Sequence, residues 1–155
     1  MIFVTVGTQI PFDRFIRIVD EVAADITEEI VVQAFPDKYR PRNIKLVDFL
    51  APDEFGRLFS RARLIVAHAG MGTILSAMEQ GKPIIVMPRI AALGEHRNEH
   101  QLATARRMAS MGYVYLAEDA ATLRQLMLQP GLPALHTLGP TASAQLLAAL
   151  RTAIG

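Results

Sequence analysis

The chain has 155 residues, enough for one domain with a substantial core and too few for two ordinary ones. Its 16 basic and 15 acidic side chains leave a formal charge of +1, which removes the electrostatic case for nucleic acid, and three lysines argue against a polybasic membrane patch. With no cysteine, disulfides, thiolate metal sites and cysteine nucleophiles are excluded, and a reducing cytoplasm is compatible.

MIFVTVG at the N-terminus has no basic n-region, and its apolar run is too short for a signal peptide or a membrane span. It reads as a strand, 2–6. PFDRFIRIVDEVAADI then lines Phe12, Phe15, Ile16, Val19, Val22 and Ala23 along one stripe, with Asp13, Arg14, Arg17, Asp20 and Glu21 mostly facing away, an amphipathic helix with proline in its first turn. Further strands are predicted at 29–35, 44–50, 63–68, 83–88 and 113–117. Helices are predicted near 53–61, 72–80, 98–110, 119–128 and 141–154. Several strand runs are apolar throughout instead of alternating, as expected when helices cover both faces of a parallel sheet. The expectation is one α/β domain over 1–155, with a doubly wound, mostly parallel, Rossmann-like sheet of about six strands.

In such a sheet ligands lie beyond the C-terminal strand ends, where strands run into helices. RLIVAH followed by AGMGTILSAMEQG is that junction. The first amides of a helix have no intrahelical acceptor, so they can hold an anion without a lysine or arginine. Gly70 and Gly72 clear the approach, Thr73 offers a hydroxyl, and His68 offers an imidazole N–H. The same glycines also suit tight strand-to-helix packing, so the local pattern leaves cradle and packing open. A dinucleotide fingerprint would need glycine at Leu75, and a P-loop would need serine or threonine at Pro83.

A second polar cluster, RIAALGEHRNEHQLATARR, spans 89–107. His96, Glu99 and His100 fit H-x-x-E-H, an inverted zinc-peptidase pattern, but no obvious further ligand follows except Glu118 and Asp119, and no second lobe would hold a peptide.

Taken together, HAGMGTILSAMEQGKPIIVMP, HQLATA, VTVGTQIPFDRFI and VDFLAPDEFGRLFSRARLIVAHAGMGT resemble the C-terminal, donor-binding half of GT-B glycosyltransferases of the MurG and family-28 type. The resemblance is closest to the small subunits of two-subunit transferases, namely the PssE-type exopolysaccharide enzymes and the eukaryotic dolichol-pathway counterpart. It implies that Ala69, Gly70, Met71, Gly72 and Thr73 surround a UDP diphosphate beside His68, and that Gly7 and Thr8 face the phosphates or the cleft. It further implies uracil at the backbone of Leu50, after Phe49, and sugar hydroxyls at Asn98, His100 and Gln101. Ser76 stands where many relatives place a ribose-binding glutamate. Arg89 and Arg97 would contact a sugar carboxylate if the donor carries a uronic acid.

The function implied is that of a donor-binding subunit of an inverting hexosyltransferase that uses no metal and no cofactor beyond its UDP-sugar substrate. A membrane-anchored subunit would hold a lipid-linked acceptor and keep this chain peripheral at the cytoplasmic face. A non-catalytic nucleotide-binding regulator is the alternative, with the zinc hydrolase third. The tail carries Leu146, Leu147, Leu150 and Ile154 on one stripe of a helix within 141–155, which would pack on its own sheet or on the partner.

Overall fold

In the computed structural model, which describes residues 1–7, 10–95, 100–135 and 148, all six apolar runs form strands. They are β1 (Ile2–Thr5), β2 (Ile30–Gln33), β3 (Lys45–Val47), β4 (Leu64–Ala67), β5 (Ile84–Val86) and β6 (Tyr115–Leu116). All pair in parallel, in the order β3-β2-β1-β4-β5-β6. The helices among the described residues are α1 (Asp13–Ala23), α2 (Pro52–Arg61), α3 (Met71–Glu79), α4 (His100–Ser110) and α5 (Ala120–Leu128). A short 3-10 turn at Ala91–Leu93, which the sequence pattern did not suggest, precedes α4. The helix expected at 141–154 lies outside the described residues, apart from residue 148.

Successive side chains of each strand enter opposite faces, so one apolar run feeds two cores. Ile2, Val4, Leu64 and Val66 meet Phe15, Ile16 and Val19 of α1 and Leu123 and Met127 of α5 on one face. Phe3, Ile65, Ala67, Ile84 and Val86 meet Phe59 of α2, Ile74, Ala77 and Met78 of α3, and Ala105 and Met108 of α4 on the other. This accounts for runs without polar alternation. Phe3 anchors α2 through edge-on contacts with Phe55 and Phe59, at centroid distances of 5.2 and 6.3 Å.

The connection from β2 to β3 carries no helix. Its residues 37–43 lie as a strap along α1, held by two aspartates of that helix. Asp13 accepts the backbone N–H groups of Asp37, Lys38 and Tyr39 at 2.7, 2.8 and 3.1 Å. Asp20, expected on the outer face of α1, is instead only 1% exposed because the strap covers it: it accepts the Tyr39 hydroxyl at 2.5 Å and the N–H groups of Arg42 and Asn43 at 2.9 and 2.6 Å. Burial opposes ionisation of Asp20, but the Tyr39 hydroxyl and the amides of Arg42, Asn43 and Ile44 outweigh it and hold its pKa below the ordinary 3.8.

A carboxyl whose folded pKa is depressed stabilises the fold at every pH above its unfolded value, and that contribution is lost as pH falls through the folded value. Asp20→Ala should therefore cost on the order of 3 kcal/mol in denaturant unfolding at neutral pH, because it strands backbone amides of the strap and a phenol. The advantage of wild type over the variant should shrink below pH 3.8. An advantage that stayed constant on acidification would show that ionised Asp20 does not hold the strap.

Candidate functional site

Strands β1 and β4 are hydrogen-bonded neighbours, in register from Ile2 opposite Leu64 to Thr5 opposite Ala67. The chain leaves β1 for α1 on one face and leaves β4 for α3 on the other, so nothing in the connectivity bridges their C-terminal ends. That is the topological switch point, where an open parallel sheet forms its crevice. Gly7 and His68 stand at these two ends.

Gly7 has φ +80°, a left-handed conformation that glycine alone adopts without strain. A Cβ on it would lie 3.4 Å from His68 Cε1, and a Cβ on Gly70 would lie 2.5 Å from His68 Nε2. The imidazole thus occupies the room that both glycines leave. Gly72 differs. It is exposed in the first turn of α3, and a Cβ there would meet no atom within 4 Å. The two readings of the motif therefore divide between residues: Gly70 is demanded by packing against His68 and Gly7 by its left-handed backbone, whereas nothing among the described residues requires glycine at 72.

Gly70 caps α3 without a side chain, and the first turn carries no acidic residue. The first helical bond runs from Ile74 N–H to Gly70 O, so the amides of Met71, Gly72 and Thr73 precede any intrahelical acceptor. Ala69 is buried behind them, while Met71 and Thr73 are half-buried. This end of α3 offers oriented N–H donors and partial positive charge to an anion. Lys82 serves elsewhere: its Nζ donates to Ser60 O and Ala62 O at 2.5 and 2.7 Å, capping α2.

Polar side chains tie the crevice loops together, and sequence reading had missed most of them. Gln33, buried at the end of β2, accepts the Thr5 hydroxyl at 2.7 Å and donates through Nε2 to Gly7 O at 3.2 Å and Asp48 O at 3.1 Å. It thereby links the loop after β1 to the loop carrying Phe49 and Leu50. Arg14, expected on the outer face of α1, instead reaches across to Glu95 with Nε–Oε2 at 2.8 Å and Nη2–Oε1 at 3.0 Å, and donates to Pro88 O at 3.1 Å. Glu95 Oε1 also accepts the Ile90 N–H at 3.0 Å. Gln33 sits inside an apolar strand run, where a lone buried amide is the one visible signal of a polar tie.

The expectation that Arg89 would meet a sugar carboxylate is corrected. Its side chain is 3% exposed and turns into the fold, where Nη2 donates to Val6 O at 2.9 Å and to Ile10 O at 2.6 Å. Desolvation pulls its pKa below the usual arginine value, with Glu95 opposing. Arg89 stands three residues after the end of β5, its side chain reaches the carbonyls of Val6 and Ile10, and Phe12 offers its ring face 5.0 Å from the guanidinium carbon. The half-buried side chain of Gln101, at the start of α4, accepts the Arg89 backbone N–H at 3.1 Å, and exposed His100 adjoins it. Leu50 is half-buried, Phe49 is 67% exposed, and Ser76 is half-buried on α3. Thr8, Arg97 and Asn98, with His96 and Glu99 of the H-x-x-E-H pattern, lie outside the described residues.

The Glycosyltransferase family 28 C-terminal domain matches residues 1–145. The UDP-N-acetylglucosamine transferase subunit ALG13 of Mus musculus is 28% identical over 124 residues, covering 73% of this chain and 10% of that protein. Its namesake in Eremothecium gossypii is 28% identical over 110 residues, covering 70% and 52%. The chain thus spans between a tenth and about half the length of these relatives. An NMR solution structure of ALG13 matches with a TM-score of 0.63 at 18% identity, covering 94% of both chains. UDP-GlcNAc 2-epimerase from Neisseria meningitidis matches with a TM-score of 0.58 at 16% identity, covering 97% of this chain and 44% of that one. These structural likenesses establish the fold.

The two glycines of the motif should respond oppositely to alanine. Gly70→Ala forces the His68 imidazole aside and should cost about 1–3 kcal/mol, a penalty relieved in a His68→Ala background. Gly72→Ala meets nothing and replaces glycine within a helix, so it should raise stability by up to about 1 kcal/mol. Thermal unfolding of the four variants checks both, and equal destabilisation by the two alanines would refute the division.

Proposed function

Because the chain belongs to the glycosyltransferase family 28 C-terminal domain family, we propose that it is the donor-binding subunit of a two-subunit, UDP-sugar-dependent glycosyltransferase. The observation that carries this reading is the open, side-chain-free approach over Gly72, at the N-terminus of α3 and beside the switch point. A glycine that the fold does not need is explained by a phosphate oxygen coming close to the backbone.

The chemistry follows from that placement. Transfer of a hexose from UDP leaves negative charge on the departing diphosphate. The amides of Met71, Gly72 and Thr73 are already oriented and have no other intrahelical acceptor, so they stabilise that charge without reorganising. In this reading the Thr73 hydroxyl and His68 flank the phosphates, Leu50 receives the uracil, and Asn98, His100 and Gln101 meet the sugar. No divalent metal is assigned to the diphosphate, and transfer proceeds with inversion. An N-acetylhexosamine donor is favoured over a uronic acid: the relatives are named as UDP-N-acetylglucosamine transferase subunits, and Arg89 is committed to the loop backbone.

The acceptor and the base belong to a second subunit in this reading. Ile10, Phe49 and Leu93, 37%, 67% and 60% exposed, lie on three loops beyond the C-terminal strand ends, where a second lobe would close. None of the described helices is long and apolar enough to cross a membrane. A membrane-anchored partner that holds a lipid-linked acceptor would place this chain at the cytoplasmic face, and the 141–155 tail is a further candidate contact.

Calorimetry with UDP in the presence of a chelator should show binding to the isolated chain. Gly72→Val should stay folded and bind UDP about a hundredfold more weakly, equivalent to about 2.7 kcal/mol. Transfer from UDP-N-acetylglucosamine should appear only when the membrane subunit is added. Unchanged UDP affinity in a folded Gly72→Val variant would move the diphosphate elsewhere.

A further inference from the structure

We propose that Arg89 is the positioning residue of the donor site, setting the phosphate-side loop with its side chain and the sugar-side Gln101 with its backbone; this rests on the donor-binding reading above. One nitrogen, Nη2, bridges Val6 O and Ile10 O, which ties the backbone on either side of the β1–α1 connection together next to Gly7. The same residue's backbone N–H holds Gln101 Oε1 at 3.1 Å. Loop and side chain therefore share one rigid origin at the end of β5.

The chemistry of the groups explains why arginine occupies this position. Its planar guanidinium lies over the Phe12 ring at 5.0 Å while its edge reaches the carbonyls, a combination that the tetrahedral ammonium of lysine does not reproduce. No carboxylate forms an ion pair with it among the described residues, because Glu95 is engaged by Arg14. Its Nε is buried and has no hydrogen-bond partner among the described residues. Leaving a buried donor unsatisfied is unfavourable. The side chain is thus oriented to reach two backbone carbonyls, at the expense of its own third donor.

The contact to Gln101 has a direct consequence for the ligand. A backbone N–H can only donate, so the Gln101 amide must present its oxygen to Arg89 and keep its two Nε2 hydrogens for another partner. Gln101 consequently meets a sugar as a donor and selects an oxygen acceptor on the hexose. If Arg89 ceases to hold it, the amide can turn over and this preference is lost.

The test uses the full chain and the variants Arg89→Lys, Gln101→Ala and the double variant. Each is checked for cooperative unfolding and titrated with UDP and with UDP-N-acetylglucosamine. Wild type should bind the sugar nucleotide more tightly than UDP. Arg89→Lys and Gln101→Ala should each remove that difference, and the double variant should lose no more than either alone, since one residue acts through the other. Losses that add, or an unchanged difference in a folded Arg89→Lys variant, would overturn the proposal. A ligand-free readout separates this from the donor reading. In nitrogen-15 spectra, Arg89→Lys should shift the Gly7 amide and the Gln101 side-chain amide while leaving the Gly72 amide in place. If wild type binds neither nucleotide, the donor reading fails, and these spectra alone decide whether Arg89 positions the two groups. Should Arg89→Lys not fold, Arg89→Gln, which keeps a planar donor, replaces it in both measurements.

Discussion

Parallel pairing on both sides of β1 is the constraint from which the rest of the molecule follows. Parallel neighbours cannot be joined by a tight turn, so each connection must cross back over the sheet, and both faces of β1 and β4 become buried. The chain satisfies this by winding β1 to β3 in one direction and β4 to β6 in the other. The reversal between β1 and β4 leaves their ends unbridged. Gly7, His68 and the amino end of α3 meet there for a topological reason, before any residue is chosen for its chemistry.

Within that opening the buried polar side chains do a consistent kind of work. Gln33, Arg89 and Asp20 each satisfy the backbone of an irregular segment: the loops flanking the crevice for the first two, the strap along α1 for the third. Loops at the end of a parallel sheet have no ladder to fix them, and their carbonyls and amides need partners. Side chains rooted in strands or helices supply those partners and make the loops as rigid as the elements beneath. A site preorganised in this way can present amides to developing charge without first ordering itself.

The same arrangement gives the described residues a core closed on both faces of the sheet. Both faces of the sheet are covered internally, so the core does not depend on a second lobe. The large apolar side chains at the crevice rim, Ile10, Phe49 and Leu93, are by contrast left exposed.

The alternation of apolar runs with helical stripes was enough to predict six strands, their parallel pairing and the doubly wound class, because burial of both faces imposes a composition on each strand that a linear reading detects. The motif at 68–73 was legible for a similar reason, since a strand end, a histidine and two glycines fall within six consecutive residues. What remained undecided there was the purpose of each glycine, because the imidazole folds back in space onto Gly7 and Gly70, sixty-one residues apart in one case and two in the other. Arg89 was expected at a sugar carboxylate because it belongs to the basic cluster within residues 89–107, near the hexose site that the family resemblance implies. Only the tertiary structure placed Phe12 and the carbonyls of Val6 and Ile10 against it. Local pattern reports which side chains must be buried and which backbone positions must be small. Which distant backbone group satisfies a buried donor is decided by the winding of the chain, and no window of sequence contains both partners.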